Sequence, residues 1–328
     1  DPLRILSLLL KTLLANVGSF SDKLKILKLN TELKKKSLSD IFSAQETSTL
    51  KLLTAYGFSQ NIIQSFFKPF FSGIFLEPNL ATSSRMFEFV YKMFGTGYAT
   101  LPKAGIEAIP IQLEAKLKNT RWLFDTRAES VEDGKVILSD GQELKSHCTI
   151  LATTPDKLIS NLNNQSTDWK SCNTLYFETE RRQISKSLIG LITNQDTLIN
   201  NIFYHTSIES TNTSKKELLS VTVVKENNLN EQELQRHVAK ELQRFCNISI
   251  IRFLKHYNIS QALPDLSNIQ YEMAPSETKI KDTLFLAGDH LLNGSLNAAM
   301  LSGEKAALGL IEVLEEGQNL AHFTSEYR

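Results

Sequence analysis

An acidic residue and the start of a helix lie close together near position 290 of the sequence. Residues 284–287 form an apolar run that predicts a short buried strand, and the run ends at Gly288 and Asp289. A second turn signal, Gly294 followed by Ser295, opens a segment with helical spacing. Because a carboxylate accepts hydrogen bonds from hydroxyl groups and a helix N-terminus attracts negative charge, this arrangement could hold a polyol or a phosphate.

The helix predicted after this turn is rich in small residues, which would let another group pack very close to it. They recur at helical spacing and are Ala298, Ala299, Ser302, Gly303, Ala306, Ala307 and Gly309. On spacing alone, an ordinary strand–turn–helix unit of an α/β core explains the segment as well as a binding site does.

The first third of the chain has the apolar periodicity of helices. Residues 3–95 are predicted to be mainly helical, with Ser83 or Ser84 capping the helix that follows. The apolar stretch at residues 5–15 is too short to cross a bilayer, which takes about 20 apolar residues. Lys11 also interrupts it, so we expect a buried or interfacial helix there.

After a helix predicted over residues 105–118, the pattern changes to short strands joined by turns. The predicted strands cover residues 122–124, 128–131, 135–138 and 148–153, with a hairpin turn at 139–142. Further segments of strand length predict a largely antiparallel sheet and cover residues 177–181, 184–191, 201–204 and 218–224. An amphipathic helix is predicted over residues 230–245.

Composition argues against several classes of protein. Lys and Arg together number 36, as do Asp and Glu, so no net charge favours nucleic acid or anionic lipid. Cys148, Cys172 and Cys246 are widely spaced, which indicates a reducing compartment rather than a disulfide framework. The six histidines show no ligand spacing, and we predict no metal site.

Three segments, in order along the chain, resemble motifs of one enzyme family. Residues 284–311 resemble the C-terminal flavin-binding motif of the FAD-dependent amine oxidase and phytoene desaturase superfamily, where a strand runs into Ala-Gly-Asp and a Gly-Ser turn opens a small-residue helix. Residues 98–110 resemble the family's Pro-x-Gly-Gly-Met segment, with Ala104 where glycine is commoner. Residues 67–75 resemble its Pro-Phe-x-x-Gly-Val-Phe stretch.

This resemblance implies FAD as the cofactor and a set of residues that hold it. Asp289 is implied to bind the ribityl or pyrophosphate part of FAD, with the start of the following helix near the flavin. Ala128 stands where the family places a valine whose backbone meets the adenine side, although a plain β-hairpin position explains it equally well. The implied cofactor-binding residues are Gly288, Asp289, Gly294, Ser295, Leu296, Asn297, Ala128 and Pro155.

The implied fold is α/β, or α+β overall, with a Rossmann-like FAD-binding domain interleaved with a substrate domain of antiparallel sheet and helices. The substrate domain is expected to take its helices from residues 1–100 and its sheet from 166–275. The FAD domain is expected to use residues 101–165 and 276–328, the latter including a tail. Residues 257–264 resemble the family's Tyr-x-Ile-x-x-Ala-x-Pro segment, which returns the chain to the flavin.

The family's first unit has no counterpart in the sequence. That unit is a strand, a Gly-x-Gly-x-x-Gly turn and a helix, which together cradle the FAD pyrophosphate. The nearest candidate, Gly95 and Gly97, follows no β-branched strand and lacks the third glycine. We therefore expect a fragment without this unit, or a chain whose missing part another polypeptide supplies. Either way, these residues alone are expected to bind FAD poorly or not at all, and so to be inactive in isolation.

The function implied is a desaturase-like or dehydrogenase-like two-electron oxidation of a lipophilic substrate, such as an isoprenoid. Most of the aromatic residues before position 100 are expected in the core, and a minority are expected to line a substrate tunnel. An amine or protoporphyrinogen oxidase, and a non-catalytic binding protein of the same fold, remain alternatives. No catalytic residue is identified. The protein is expected to be cytoplasmic, with a peripheral membrane contact and the oligomeric state left open.

Overall fold

The computed structural model describes residues 17–159, 167–209 and 216–315, so the apolar stretch at residues 5–15 lies outside it. The chain divides into two compact units, and each is built from two separate segments. Unit one comprises Asp1–Lys118 and Lys170–Leu263, and unit two comprises Asn119–Trp169 and Pro264–Arg328. The assignment of segments to cofactor and substrate domains stays a prediction.

Most helices of unit one begin at a serine. The serine oxygen accepts a backbone N–H two or three residues later, which satisfies a donor that the helix itself leaves unpaired. The capping serines are Ser19, Ser37, Ser48, Ser59 and Ser83, and the last confirms the predicted cap. The described helices before residue 119 are α1 Phe20–Lys35, α2 Leu38–Ser43, α3 Thr49–Ala55, α4 Gln60–Ile62, α5 Lys68–Phe75, α6 Ser84–Thr96 and α7 Ala108–Glu114, with a π-helical turn at Ile63–Phe67.

The helices of unit one pack around phenylalanine rings. Phe67, Phe71 and Phe75 recur at every fourth position, and none of them is more than 1% exposed. The ring centroids of Phe71 and Phe87 lie 4.7 Å apart. Burial of one such side chain stabilises the fold by about 2–3 kcal/mol. Phe20, Phe94 and Tyr98 are exposed, whereas the other aromatics before position 100 are buried or partly buried, which agrees in part with the prediction that most of them are core.

The described residues form ten strands. In chain order these are β1 Ala128–Glu132, β2 Lys135–Leu138, β3 Glu143–Lys145, β4 Thr149–Leu151, β5 Trp169–Thr179, β6 Gly190–Leu191, β7 Ile199–Tyr204, β8 Glu217–Val223, β9 Ile250–Pro264 and β10 Leu284–Leu286. Strands β5 to β9 build a five-stranded sheet, nearly all of it in unit one, with the order β6-β7-β8-β5-β9. The pairs β6–β7, β7–β8 and β5–β8 are antiparallel, which confirms the predicted antiparallel sheet.

Helix α8, Glu231–Cys246, packs on this sheet and confirms the helix predicted there. Asn230 caps it and forms a capping box with Glu233, because each side chain accepts the other's backbone N–H. Leu234, Val238 and Leu242 recur at every fourth position, which places them on one face of the helix. This face joins alternate strand residues in one core cluster that contains Leu175, Phe177, Ile202, Tyr204, Leu219 and Val221.

The described part of unit two contains two small sheets and one long helix. Strands β1, β2 and β3 form an antiparallel meander, whereas β4 and β10 pair in parallel, with Leu286 opposite Leu151. Helix α9, Leu296–Leu314, follows β10 and contacts it. Val131, Leu151, Ile159, Leu284 and Leu286 form the buried cluster between these strands. Together with unit one, these elements give the mixed α/β fold that the sequence predicts.

Several predicted elements are wrong or shorter than expected. Residues 122–124 form no strand, because Asp125 adopts a left-handed φ of 54° that turns the chain, and the rings of Trp122 and Phe124 stack instead. Gly105 has a φ of 91° in the turn before α7, so that helix begins later than predicted. The strands predicted at residues 184–191 and 148–153 shorten to β6 and β4. Within the described ranges, no helix has the length and apolarity needed to cross a bilayer.

Candidate functional site

The strand–turn segment that ends at Gly288 is held from both sides. The backbone N–H of Ala287 donates to the carbonyl of Leu151 at 2.9 Å, which extends the parallel pairing of β4 and β10. The N–H of Gly288 donates to Oγ of Ser302 at 2.8 Å, so the middle of α9 fixes the end of the strand. A Cβ atom at Gly288 would lie 2.4 Å from Nδ1 of His290, which explains why the position requires glycine.

The carboxylate of Asp289 is half-buried and unused by the fold. The backbone carbonyl of Asp289 accepts the N–H groups of Leu292 and Gly294, at 3.2 and 3.0 Å, and so closes the turn. Its side chain, in contrast, makes no hydrogen bond or ion pair with another residue in the part of the chain that the structure describes. The acidic group is therefore available to a ligand at the tip of β10.

The cap of α9 is fixed by a chain of side-chain contacts. Oγ of Ser295 accepts the N–H of Ala298 at 3.1 Å and donates to Oδ1 of Asn293 at 2.7 Å. Nδ2 of Asn293 donates in turn to the carbonyl of Gln270 at 2.8 Å. Gly294 adopts a φ of 67°, which allows the tight turn between Asn293 and Ser295. The start of the helix is thus held in place by its own cap and by the loop at Gln270.

The first turn of α9 leaves two backbone donors open. Leu296 and Asn297 are exposed, and their N–H groups have no partner among the described residues. The first turn also contains no acidic residue that would offset the positive end of the helix dipole. This N-terminus is therefore suited to a negatively charged or oxygen-rich ligand.

His290, which the sequence analysis did not single out, contributes a second unused polar group. Its Nε2 atom is shielded from solvent and has no hydrogen-bond partner in the part of the chain that the structure describes. Burial lowers the pKa of His290, and the charge of Asp289 opposes that shift in part. The signal that could have found it is the polar pair, acid then histidine, at the tip of a buried strand. Since buried polar atoms are nearly always paired, this atom marks a place where a ligand would complete the hydrogen bonding.

The small residues of α9 are explained partly by packing within unit two. Ala298, Ser302, Ala306 and Gly309 form the buried face of the helix. A Cβ atom at Gly309 would lie 2.8 Å from the carbonyl oxygen of Pro275, so the protein's own backbone occupies the close approach there. Gly303 differs, because a Cβ atom at that position would meet nothing within 4 Å.

Ala128 and Pro155 lie on elements that share a core with β10. The N–H of Val131 in β1 donates to the carbonyl of Leu158 at 2.9 Å. The N–H of Leu158 donates in turn to the carbonyl of Pro155 at 3.0 Å, which closes the turn between Pro155 and Leu158. Val131 and Leu286 belong to the same buried cluster. No hydrogen bond in the described ranges links Ala128 or Pro155 to the Asp289 turn, so their roles stay predictions.

Metal ligation is not evident at this site. Among the described residues, no group of three His, Cys, Asp or Glu side chains is placed to hold a metal ion. Cys148, Cys172 and Cys246 are all free thiols. The chemistry offered by the turn is therefore that of one carboxylate, one imidazole and two backbone N–H groups.

Known proteins resemble the chain in both sequence and fold. Residues 2–311 match the model of the family described as flavin containing amine oxidoreductase. A search of curated proteins finds no match. A candidate protoporphyrinogen oxidase from Exiguobacterium sp. 255-15 has a TM-score of 0.64 and 16% identity, over 92% of this chain and 74% of that chain.

Two further structures share the fold. Putrescine oxidase with bound putrescine has a TM-score of 0.59 and 11% identity, over 92% of this chain and 76% of that chain. A CLA-producing fatty acid isomerase from P. acnes has a TM-score of 0.60 and 12% identity, over 87% of this chain and 73% of that chain. The family match extends over most of the sequence, including the strand, turn and helix around Asp289. The chain therefore belongs to the flavin-containing amine oxidoreductase family.

Proposed function

We propose that this chain is an FAD-dependent oxidoreductase in which unit two holds the cofactor and unit one serves the substrate. The observation that carries the proposal is the unused carboxylate of Asp289, which stands in one strand–turn–helix segment with the open N–H groups of α9. Family membership supplies the class of cofactor. When bound, FAD supplies the redox chemistry by taking up a hydride equivalent from a C–H or C–N bond.

The residues of unit two have complementary roles toward this cofactor. The carboxylate of Asp289 accepts hydrogen bonds from the hydroxyl groups of a ribityl or ribose chain. The N–H groups of Leu296 and Asn297 donate to oxygen atoms that carry negative charge. The unpartnered Nε2 of His290 offers one more hydrogen bond to a buried polar atom.

The architecture of the two units supports this division of labour. Strands β4 and β10 pair in parallel and β10 leads into α9, as in Rossmann-like cofactor domains. Unit one instead carries an antiparallel sheet and helices rich in phenylalanine. We propose that unit two is the Rossmann-like part of the molecule and that unit one is the substrate part.

The substrate is proposed to be lipophilic and its reaction desaturase-like. The fold is shared with a fatty acid isomerase, and the helices of unit one expose some apolar side chains, among them Phe94. Neither the paired carboxylates nor the nucleophilic centre of a hydrolase is recognised in the sequence. A redox reaction in which FAD performs the bond-breaking step is compatible with this.

Flavin titration tests the cofactor assignment. Quenching of FAD fluorescence by the whole chain is measured for the wild type and for Asp289→Ala, with the exposed Asp282→Ala as the control. We expect the Asp289 variant to bind FAD about tenfold more weakly, because it loses charge-assisted hydrogen bonds, and Asp282→Ala to match the wild type. If Asp289→Ala binds FAD as tightly as the wild type does, the proposal is wrong.

An amine oxidase is the second candidate function. The rings of Tyr176 and Phe203 contact His205, and Tyr257 contacts Tyr176. Aromatic faces attract organic cations. Putrescine oxidase also shares the fold. Bleaching of flavin absorbance at roughly 450 nm, without oxygen, separates the two functions. Bleaching by putrescine favours amine oxidation, whereas bleaching by an isoprenoid or a fatty acid favours the lipophilic substrate.

A further inference from the structure

Unit one contains a half-open cavity that lies apart from the Asp289 turn in sequence and in unit. Its volume is about 150 Å³. One wall comes from the helical segment that runs through the π turn into α5, and the other comes from the loop before β7 and its first residues. The polar residues that matter are Gln64, Lys68, Ser72, Thr193, Asn194 and Asn200.

The hydroxyl of Ser72 is the first sign that the cavity binds something. Ser72 is only 3% exposed, yet its Oγ has no hydrogen-bond partner among the described residues. Other hydroxyls in helices of the same unit donate to the carbonyl four residues earlier, as Thr54 and Ser65 do at 2.8 and 2.6 Å. Because an unpaired buried hydroxyl destabilises a fold, Ser72 indicates a partner that completes its hydrogen bonding.

The geometry around Ser72 is fixed by close helix–strand packing. Asn200 donates from Nδ2 to the carbonyl of Pro69 at 3.1 Å, which ties β7 to the start of α5. A Cβ atom at Gly73 would lie 2.7 Å from that same Nδ2, so glycine allows this approach. The neighbouring Ser72 side chain therefore faces a cavity that the packing itself keeps in place.

The positive charge of the lining lysines is the second sign that the cavity binds something. Lys68 precedes Ser72 by four residues, so both lie on one helix face. Lys68 is half-buried, and its ammonium group forms no hydrogen bond or ion pair with any described residue. Lys225 also lines the cavity and donates to the carbonyls of Gln195 and Thr197. The described residues that line the cavity include two lysines and no carboxylate, so the lining side chains carry a net positive charge.

A buried acid that binds residues of the cavity wall has its hydrogen bonds supplied by the fold. Glu241 of α8 accepts the hydroxyl of Thr197 at 2.6 Å and the N–H groups of Leu198 and Ile199 at 3.0 and 3.3 Å. Nε2 of His237 lies 3.1 Å from its other oxygen. The carboxylate is thus directed to the backbone at the start of β7.

We propose that this cavity binds a small oxyanion, a phosphate or a short-chain carboxylate, through the ammonium of Lys68 and the hydroxyl of Ser72. The two groups offer a charged and a neutral donor from one helix face, a suitable pair for anionic oxygen. An engineered cavity of about 150 Å³ admits a ring of benzene size, so a ligand of that size fits. The site is independent of the flavin assignment.

Calorimetric titration of the whole chain with inorganic phosphate and, separately, with acetate tests the proposal at constant ionic strength. Lys68→Met should weaken binding about tenfold or more, because it removes the charge and keeps the stem. The exposed Lys51→Met is the matched control and should bind as the wild type does. Tighter binding of phosphate or of acetate identifies which oxyanion the site prefers.

Thermal unfolding of Ser72→Ala without ligand provides a readout that a purely structural serine would not give. Since Oγ has no partner in the free protein, the variant should unfold at the same temperature as the wild type or higher, while its affinity for the oxyanion falls several-fold. The proposal is overturned if neither oxyanion binds saturably, if chloride competes equally, if Lys68→Met binds like the wild type, or if Ser72→Ala unfolds at a lower temperature.

Discussion

The helix that starts at Phe20 and the helix that starts at Leu296 both have a serine cap. They differ in whether an acidic residue offsets the positive end of the helix dipole. In α1, Asp22 occupies the first turn and completes a capping box with Ser19. In α9, Ser295 caps the helix and the first turn has no acid. One helix start is closed by the protein itself, and the other is left for a ligand.

The carboxylates near these two helix starts show the same contrast. Asp22 is fully buried and accepts four hydrogen bonds, from the N–H and the hydroxyl of both Ser19 and Ser59. Asp289 is half-buried and accepts none within the described ranges. A carboxylate that serves the fold is saturated by the protein, and one that is placed and left unused indicates a ligand.

The largest expected effect is on the structural carboxylate. Asp22→Asn should lower the free energy of unfolding by about 3 kcal/mol, because an amide cannot accept all four hydrogen bonds and loses their charge assistance. Urea denaturation monitored by circular dichroism measures this loss. Asp40→Asn is the control, since Asp40 forms the same capping box in α2 at an exposed position. Equal losses for the two variants would contradict the argument from burial.

Lowering the pH should gradually remove the contribution of the Asp22 carboxylate to the free energy of unfolding. Burial alone would raise the pKa of Asp22, but the hydrogen bonds from Ser59 and Ser19 outweigh it and hold that pKa well below the usual value. The usual pKa of aspartate is about 3.9. A lowered folded-state pKa gives stability that is fully present above this value and is lost as the pH falls below it. The unfolding free energies of the wild type and of Asp22→Asn should therefore converge as the pH is lowered from about 6 to about 2.

Local signals predicted much of the fold. The serine at position 83 and the strand-length segments that become β7 and β8 act over a few residues, so their effect on structure can be inferred from sequence. The strand predicted at residues 122–124 was wrong because apolar residues need a partner strand, and the left-handed turn at Asp125 removes the chain from any such pairing.

The backbone of the candidate site could be predicted from the sequence, but the side-chain atoms that lack a hydrogen-bond partner could not. Gly288, Gly294 and Ser295 mark a turn and a cap, and the structure places a turn and a cap there. Whether a polar atom has a partner depends on residues far away in sequence, as the link from Asn293 to Gln270 shows. For this reason the buried Nε2 of His290 and the unpaired hydroxyl of Ser72 emerged only from the structure.

The smallest effect on stability is expected from a substitution that converts the open start of α9 into a closed one. Asn297→Asp adds an acid to the first turn of α9, as Asp22 does in α1, and should raise the free energy of unfolding by about 0.5 kcal/mol through the helix dipole. The same carboxylate should weaken FAD binding, since it repels an anionic ligand. The neutral Asn297→Ala is the control for loss of the side chain.

Stability and cofactor affinity should therefore move in opposite directions in the Asn297→Asp variant. Urea denaturation measures the stability of the protein without ligand, and FAD fluorescence titration measures its affinity. A variant that gains stability and keeps its full FAD affinity would show that this helix start is only structural, like that of α1. Opposite shifts would show that leaving a helix start uncapped by acid costs the fold a little stability and provides the protein with a place for its cofactor.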